Sequence, residues 1–398
     1  MTTLTDRFEK ALTARTSGDV TAVEIVDAVL ESARESDASD VHLVPQESGL
    51  DVLWRIDGVL HEVASIEANL APNVVARLKV LAELLTYRTE VPQEGRVRTE
   101  SDDVEMRLST FPTLYGEKAV VRLFVGSGRY RKLEDLGLGE TRSDLTNLLL
   151  EGGGVVLVCG PAGSGKTTTI YACLRELVDK TAGQRSLVSL EDPIEAVIPG
   201  VAQSQVNPAA GFDYEVGLKS LMRQDPEVIL VGEIRDQVTA ETVFQAALTG
   251  HLVLTTFHAG SAAEAICRLS DMGIEPYLLR SGLQGILAQR LARRLCECSV
   301  EGADDTQRLG LDVESFRVAG GCDTCRGTGY HGRLLLAEFL KAEATELGRA
   351  ILSRSDAEEL ESLAIENGMK TRWQRALDCV RSGETSPAEV RRVFGLSR

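Results

Sequence analysis

The chain has 398 residues, is 43% hydrophobic and carries a formal net charge of -17, with pI near 4.9. That length allows two or three domains, and the acidic balance excludes a broad nucleic-acid-coating role, which needs clustered Lys and Arg. No apolar run approaches the ~18 residues of a membrane span, and the first residues, MTTLTDRFEK, show no apolar signal core. A cytosolic protein is expected, with eight cysteines serving as reduced thiols or metal ligands rather than disulfides.

Residues 1–36 read as a polar helical segment, with Ala22, Ile25, Val26, Val29 and Leu30 as an apolar stripe at helical spacing. A small α/β domain is expected over 37–126. DVLWRIDGVLHEV places a turn at Asp57-Gly58 between two strands. PNVVARLKVLAELL (72–85) has helical period, and VEMRLSTFP and EKAVVRLF read as two strands around Tyr115-Gly116. GSGRYRKLEDLGLGE has the composition of a linker, placed at 127–140. From 141 to 398, short apolar runs alternate with helical stretches: VVLVC (155–159), SLVSL (186–190), VILVG (228–232) and LVLTTF (252–257). Such runs suit strands buried on both faces of a parallel sheet. GADDTQRLG (302–310) reads as an exposed loop.

Chemistry concentrates after the first of these strands. GPAGSGKTT runs Gly160, Pro161, Ala162, Gly163, Ser164, Gly165, Lys166, Thr167, Thr168 and fits G-x-x-x-x-G-K-[ST] between strand and helix. Glycines let backbone N–H groups close on phosphate oxygens, Lys166 adds charge at the β/γ-phosphates, and Thr167 offers its hydroxyl to Mg²⁺. ATP and Mg²⁺ are the expected cofactors. Hydrolysis also needs carboxylates. Glu191 and Asp192 end one predicted strand, and Glu233 follows another, with Arg235 and Asp236 beyond. In an open parallel sheet, ligands bind outside the carboxyl ends of strands. Glu233 is expected to order the metal and its waters and Glu191 to polarise the attacking water, or the reverse.

TGHLVLTTFHAG holds two of five histidines, seven positions apart. An extended chain separates them by roughly 23 Å, so they cannot share a metal. His258 falls on the phosphate edge, where it can bond a γ-phosphate oxygen or its water. His251, at the other end, is expected to support packing or a subunit contact.

Taken together, GPAGSGKT, LEDPIE, MRQDPEVILVGEIRD and TGHLVLTTFHAG, in this order, resemble the Walker A loop, aspartate box, Walker B signature and histidine box of the ATPases that drive type II secretion and type IV pilus assembly. Glu227 stands where that signature has Asp. SDASDVHLVP, WRIDGVL and LSTFPTLYGEKAVVRLF extend the likeness through the small domain. The resemblance implies a RecA-like P-loop motor domain preceded by a PAS-like domain, in a homo-hexameric ring. It implies a cytoplasmic position, peripheral at the inner face of the plasma membrane, with an inner-membrane platform protein as partner. It also implies arginines of the small domain reaching the phosphates: Arg96, Arg107 and Arg122, with Arg55 a weaker candidate.

Similar secretion and pilus-assembly proteins carry two C-x-x-C pairs that bind structural zinc. Cys322 and Cys325 have that spacing, whereas Cys296 and Cys298 form C-x-C. An extended C-x-C puts both thiols on one face with Cα atoms roughly 6.6 Å apart, and tetrahedral Zn²⁺ tolerates varied spacing. The expected zinc subdomain belongs to the 141–398 region. Its cysteines favour assembly or secretion over pilus retraction. Alternatives on the same fold are a retraction ATPase, a nucleic-acid translocase, which the acidic charge disfavours, and a non-hydrolysing scaffold, against which the acid pairs argue.

Overall fold

The computed structural model describes residues 4–15, 20–97, 104–125, 132–342 and 345–396. They fall into two units. The first comprises Met1–Gly128 with Cys296–Ser299 and Ala319–Gly332; the second comprises Arg129–Leu295, Val300–Val318 and Arg333–Arg398.

The first unit begins with α1 (Leu4–Arg15) and α2 (Ala22–Glu35). Thr21 and Glu24 form a capping box that fixes the start of α2, and Ile25, Val26, Val29 and Leu30 are buried as the stripe predicts. Then come β1 (Asp40–Gln46), β2 (Gly49–Ile56), β3 (Val59–Glu67), α3 (Ala71–Leu81), β4 (Gln93–Val97), β5 (Val104–Thr113) and β6 (Gly116–Val125). The strands form one sheet in the order β3-β2-β1-β6-β5-β4, with antiparallel neighbours. The hairpin turn falls at Asp57 (φ 49°) and Gly58 (φ 83°), where two consecutive left-handed residues match the twist of the flanking strands. Val41, Trp54, Met106, Leu108 and Val121 share a core with α2 and α3. α3 ends at Leu81, short of the expected Leu85, because the chain turns at Glu83 (φ 57°).

The second unit runs α4 (Thr141–Glu151), β7 (Gly154–Cys159), α5 (Lys166–Lys180), β8 (Leu187–Glu191), β9 (Ala202–Gln205), α6 (Tyr214–Leu221) and β10 (Val228–Val231). It continues with α7 (Gln237–Leu248), β11 (Leu252–Phe257), α8 (Ala262–Asp271), α9 (Pro276–Gly282), β12 (Leu283–Leu295), β13 (Val300–Glu301), β14 (Arg317–Val318) and β15 (Tyr330–Lys341). Four helices close it: α10 (Thr345–Leu352), α11 (Ala357–Glu366), α12 (Arg372–Arg381) and α13 (Pro387–Phe394). The main sheet has the order β15-β12-β7-β11-β10-β8-β9, parallel from β12 to β9. Alternate residues of one strand feed separate cores: Val155 and Leu157 pack into one, Val156 and Val158 into another. That two-sided burial is why the predicted apolar runs are unbroken. Because the strands are parallel, the ends of β7, β8, β10 and β11 share one edge.

Two expectations about boundaries change. Of the stretch read as a linker, residues 126–131 lie outside the described residues. The remainder is packed: Leu133, Leu136 and Leu138 are buried with α4 and α5 in the second unit. A polar composition concealed three leucines on one side of a short turn. The cysteine segments, expected within the 141–398 region, group instead with the first unit. There the Arg326 guanidinium donates to the Ser36 carbonyl (3.1 Å), and the Gly332 N–H donates to the Asp57 carboxylate (2.9 Å).

Candidate nucleotide site

The phosphate loop joins β7 to α5. Gly160, Gly163 and Gly165 have φ of 153°, 74° and 87°, where a side chain strains the backbone. A Cβ on Gly160 would also stand 2.4 Å from the Gln289 carbonyl and 2.5 Å from Ser164 Oγ. Ser164 Oγ is buried with no hydrogen-bond partner among the described residues. A cradle that a Cβ would fill and an orphaned hydroxyl inside it fit an anion. Lys166 opens α5, and its Nζ donates back to the carbonyls of Gly160 (2.9 Å) and Pro161 (3.1 Å). Burial lowers its pKa, while Glu233 and Cys159 oppose that shift. Thr167 is exposed on the first turn and Thr168 half-buried beside it. Gln289 of β12, which the sequence reading missed, braces the loop. Its Nε2 donates to the Ser164 carbonyl (2.7 Å) and its Oε1 accepts from Thr169 (3.0 Å). A single glutamine among the arginines of ILAQRLARR gives little warning of that role.

Both predicted acids lie on this edge, in different settings. Glu191, the last residue of β8, is 3% exposed. One oxygen accepts from Tyr171; the other accepts from Ser189 (2.6 Å) and Gln203 (3.1 Å). Glu233 follows β10 and is more open. It accepts from Arg235, and its Oε2 lies 3.6 Å from His258 Nε2. Arg235 also donates to Asp192 (3.0 Å), bridging the two acid segments. Burial and the Lys166 charge hold the His258 pKa below its usual value, against the pull of Glu233, so the imidazole is neutral near pH 7. The Arg268 guanidinium donates to the His258 carbonyl. Just beyond, the Ala262 N–H donates to Glu338 (2.9 Å), itself paired with Arg372 (3.0 Å). These contacts fix the loop that carries His258.

His251, at the far end of β11, does other work. Its Nδ1 lies 2.9 Å from the Ala246 carbonyl and 2.9 Å from Thr249 Oγ1, closing the last turn of α7. Glu227 immediately precedes β10, at the strand end opposite the phosphate loop, and pairs with Arg185 (3.3 Å). It also accepts from the Ser186 N–H (3.3 Å), so its contacts are with the start of β8.

The four arginines lie in the first unit, in one row across its sheet. Register sets Arg96 opposite Arg107, Arg107 opposite Arg122, Arg122 opposite Asp40, and Asp40 opposite Arg55. Asp40 accepts from Arg122 (3.0 Å) and lies 3.6 Å from Arg55. Guanidiniums placed directly opposite one another repel, at some cost in stability.

The cysteine sulfurs of Cys296, Cys298, Cys322 and Cys325 all lie within 4.8 Å of one another. Sγ–Sγ distances are 3.7 Å for Cys296–Cys322, 3.6 Å for Cys298–Cys325 and 3.7 Å for Cys322–Cys325. A Zn–S bond of about 2.3 Å requires tetrahedral sulfurs about 3.8 Å apart, so the donor set fits Zn²⁺. Backbone N–H groups of Cys322 and Gly329 each donate to Cys325 Sγ at 3.2 Å, which orients this sulfur in the cluster. The C-x-C pair reaches the cluster because Gly320 lets the chain approach: a Cβ there would stand 2.2 Å from the Cys298 carbonyl.

A family model described as Type II/IV secretion system protein matches residues 15–392. The chain is 40% identical over 394 residues to the type IV pilus assembly ATPase TfpB of Acinetobacter baylyi, covering 96% of this chain and 67% of that protein. It is 40% identical over 381 residues to the putative type II secretion system protein E of Escherichia coli, covering 93% and 76%. Against the type IV pilus assembly ATPase PilB of Thermus thermophilus it is 39% identical, covering 93% of this chain and 42% of that one. In fold it resembles the ADP-bound pilus retraction motor PilT (TM-score 0.63, 24% identity, 94% and 96% of the two chains). The Legionella pneumophila ATPase DotB is similar in the same sense (TM-score 0.68, 20% identity, 94% and 96%). The RecA-like parallel sheet, the phosphate loop at its edge and the near-complete match place this chain in the Type II/IV secretion system protein family.

Proposed function

We propose that this chain is an ATP-hydrolysing motor that powers assembly of a type II secretion pseudopilus or a type IV pilus. The observation that carries the reading is the shared strand edge: phosphate loop, Glu191, Glu233 and His258 on adjacent parallel strands. The reaction is ATP plus water to ADP and phosphate. Lys166 turns from the loop carbonyls to the β/γ-phosphates. Mg²⁺, when bound, supplies charge neutralisation between those phosphates; Thr167 and Glu233 are the oxygen donors that would hold it. Glu191 polarises the attacking water, and neutral His258 donates to the γ-phosphate or that water. The arginine row supplies further positive charge, from the same chain or from another copy, so that hydrolysis follows conformation. The family likeness supports a homo-hexameric ring and an inner-membrane platform protein as partner. Among the described residues no helix is long and apolar enough to cross a membrane; the proposed place of work is the cytoplasmic face of that membrane, reached through the partner.

The test is phosphate release by the purified chain with Mg²⁺ and ATP, which Lys166→Ala should abolish together with nucleotide binding. No release under any nucleotide concentration would remove the motor reading. The four cysteines would hold structural zinc, fixing the two cysteine segments to each other. Elemental analysis should find about one zinc per chain, lost in Cys322→Ser; a metal-free protein that is equally stable would refute the site.

A further inference from the structure

Two tyrosines reach the acid edge, and only one has a partner there. Tyr171 donates to Glu191 and accepts from the Glu195 N–H (3.0 Å). Tyr214 opens α6, and its Oη is buried with no hydrogen-bond partner among the described residues. α6 packs closely on β8: a Cβ on Gly217 would stand 2.6 Å from the Leu190 side chain. That approach carries the Tyr214 hydroxyl over Gly232, where a Cβ would meet it at 2.8 Å and Glu191 Cα at 3.3 Å. Gly232 lies between β10 and Glu233, with its N–H on the Leu190 carbonyl (2.9 Å). Burial and then Asp192 push the phenol above its usual pKa, with smaller contributions from Glu233 and Glu191, so it stays protonated. A donor without an acceptor therefore stands among three carboxylates.

Within the hydrolytic reading above, we propose that Tyr214 is a positioning residue: its hydroxyl donates to the Arg235-bridged carboxylates of Asp192 and Glu233 and fixes the aim of Glu233 during turnover. Glu191 is the poorer acceptor, because Tyr171, Ser189 and Gln203 already take three of its lone-pair sites and the one that remains is needed for water. Asp192 and Glu233 share one guanidinium and retain free lone pairs.

Tyr214→Phe removes the hydroxyl and keeps the ring. The expected result is a kcat lower by roughly tenfold, the value of one hydrogen bond to a charged group, with the dissociation constant for a fluorescent ATP analogue unchanged. The thermal midpoint should hold or rise, since the deleted group was an orphan. An unchanged kcat overturns the proposal, as does a loss of kcat matched by a loss of thermal stability, which marks a packing role. Turnover by the unsubstituted chain, set against Lys166→Ala, tests the motor reading separately; the tyrosine is judged only by the ratio of its variant to the unsubstituted chain.

Discussion

The two sheets carry charge in different ways. In the first unit one face of an antiparallel sheet packs on helices, and on the other Arg55, Asp40, Arg122, Arg107 and Arg96 are aligned across the strands by register. In the second unit β7, β10 and β11 are buried along their whole length. On these strands and their neighbour β8, Glu191, Glu233 and His258 stand at or just beyond the strand ends. Central strands covered on both faces leave their tips for charged groups; a sheet with one wet face can carry a charged row across its strands. The contrast also predicts how each tolerates change: tips and rows should govern chemistry, and interior positions stability.

The largest expected effect tests the tips. Glu233→Gln should bind ATP normally while kcat falls about 10²- to 10⁴-fold, read by nucleotide titration beside steady-state phosphate release. If binding fails instead, the tip acid is holding the loop and the division of labour is wrong. Next, Leu157→Ala in β7 should cost about 2–5 kcal/mol of stability. Arg122→Ala on the open face should stay within about 0.5 kcal/mol and yet lower turnover. Denaturant melts and rates on the two variants measure both; equal stability losses would erase the distinction between the sheets.

The smallest effect compares the ends of a single strand. His258→Ala should lower kcat roughly tenfold, about 1.4 kcal/mol. His251→Ala should leave kcat alone and cost about 1 kcal/mol of stability through the lost bond to Ala246. pH sharpens this. The folded His258 resists protonation, so the unfolded chain takes the proton first as pH falls below about 6.5. Its contribution to stability is complete above that value and is lost as pH falls toward the folded pKa. His258→Asn should flatten that acid-side slope in a melting series; an unaltered slope would show that another group carries it.

The strands of the second unit were legible because burial on both faces leaves no polar interruption: LVLTTF coincides with β11, and VVLVC lies within β7. The phosphate loop was legible because its glycines are demanded by backbone geometry. Other features depend on contacts between residues far apart in sequence. Gln289 braces Ser164 from 125 positions away. Tyr214 acquires its place only through the close packing at Gly217. The leucines of KLEDLGLGE are too few for a periodic signal, so their burial could not be read from composition. The alignment of the arginines likewise depends on strand order, which periodicity does not report.

The cysteine segments belong to the first unit, yet both are excursions from the second, so the backbone passes between the units five times. A protease that cuts once near residue 128 leaves the halves tied by four further passages. The units are thus laced together rather than hung from a single thread, and removing residues 1–128 would strand the four cysteines without Ser36 and Asp57, on which Arg326 and Gly332 rest.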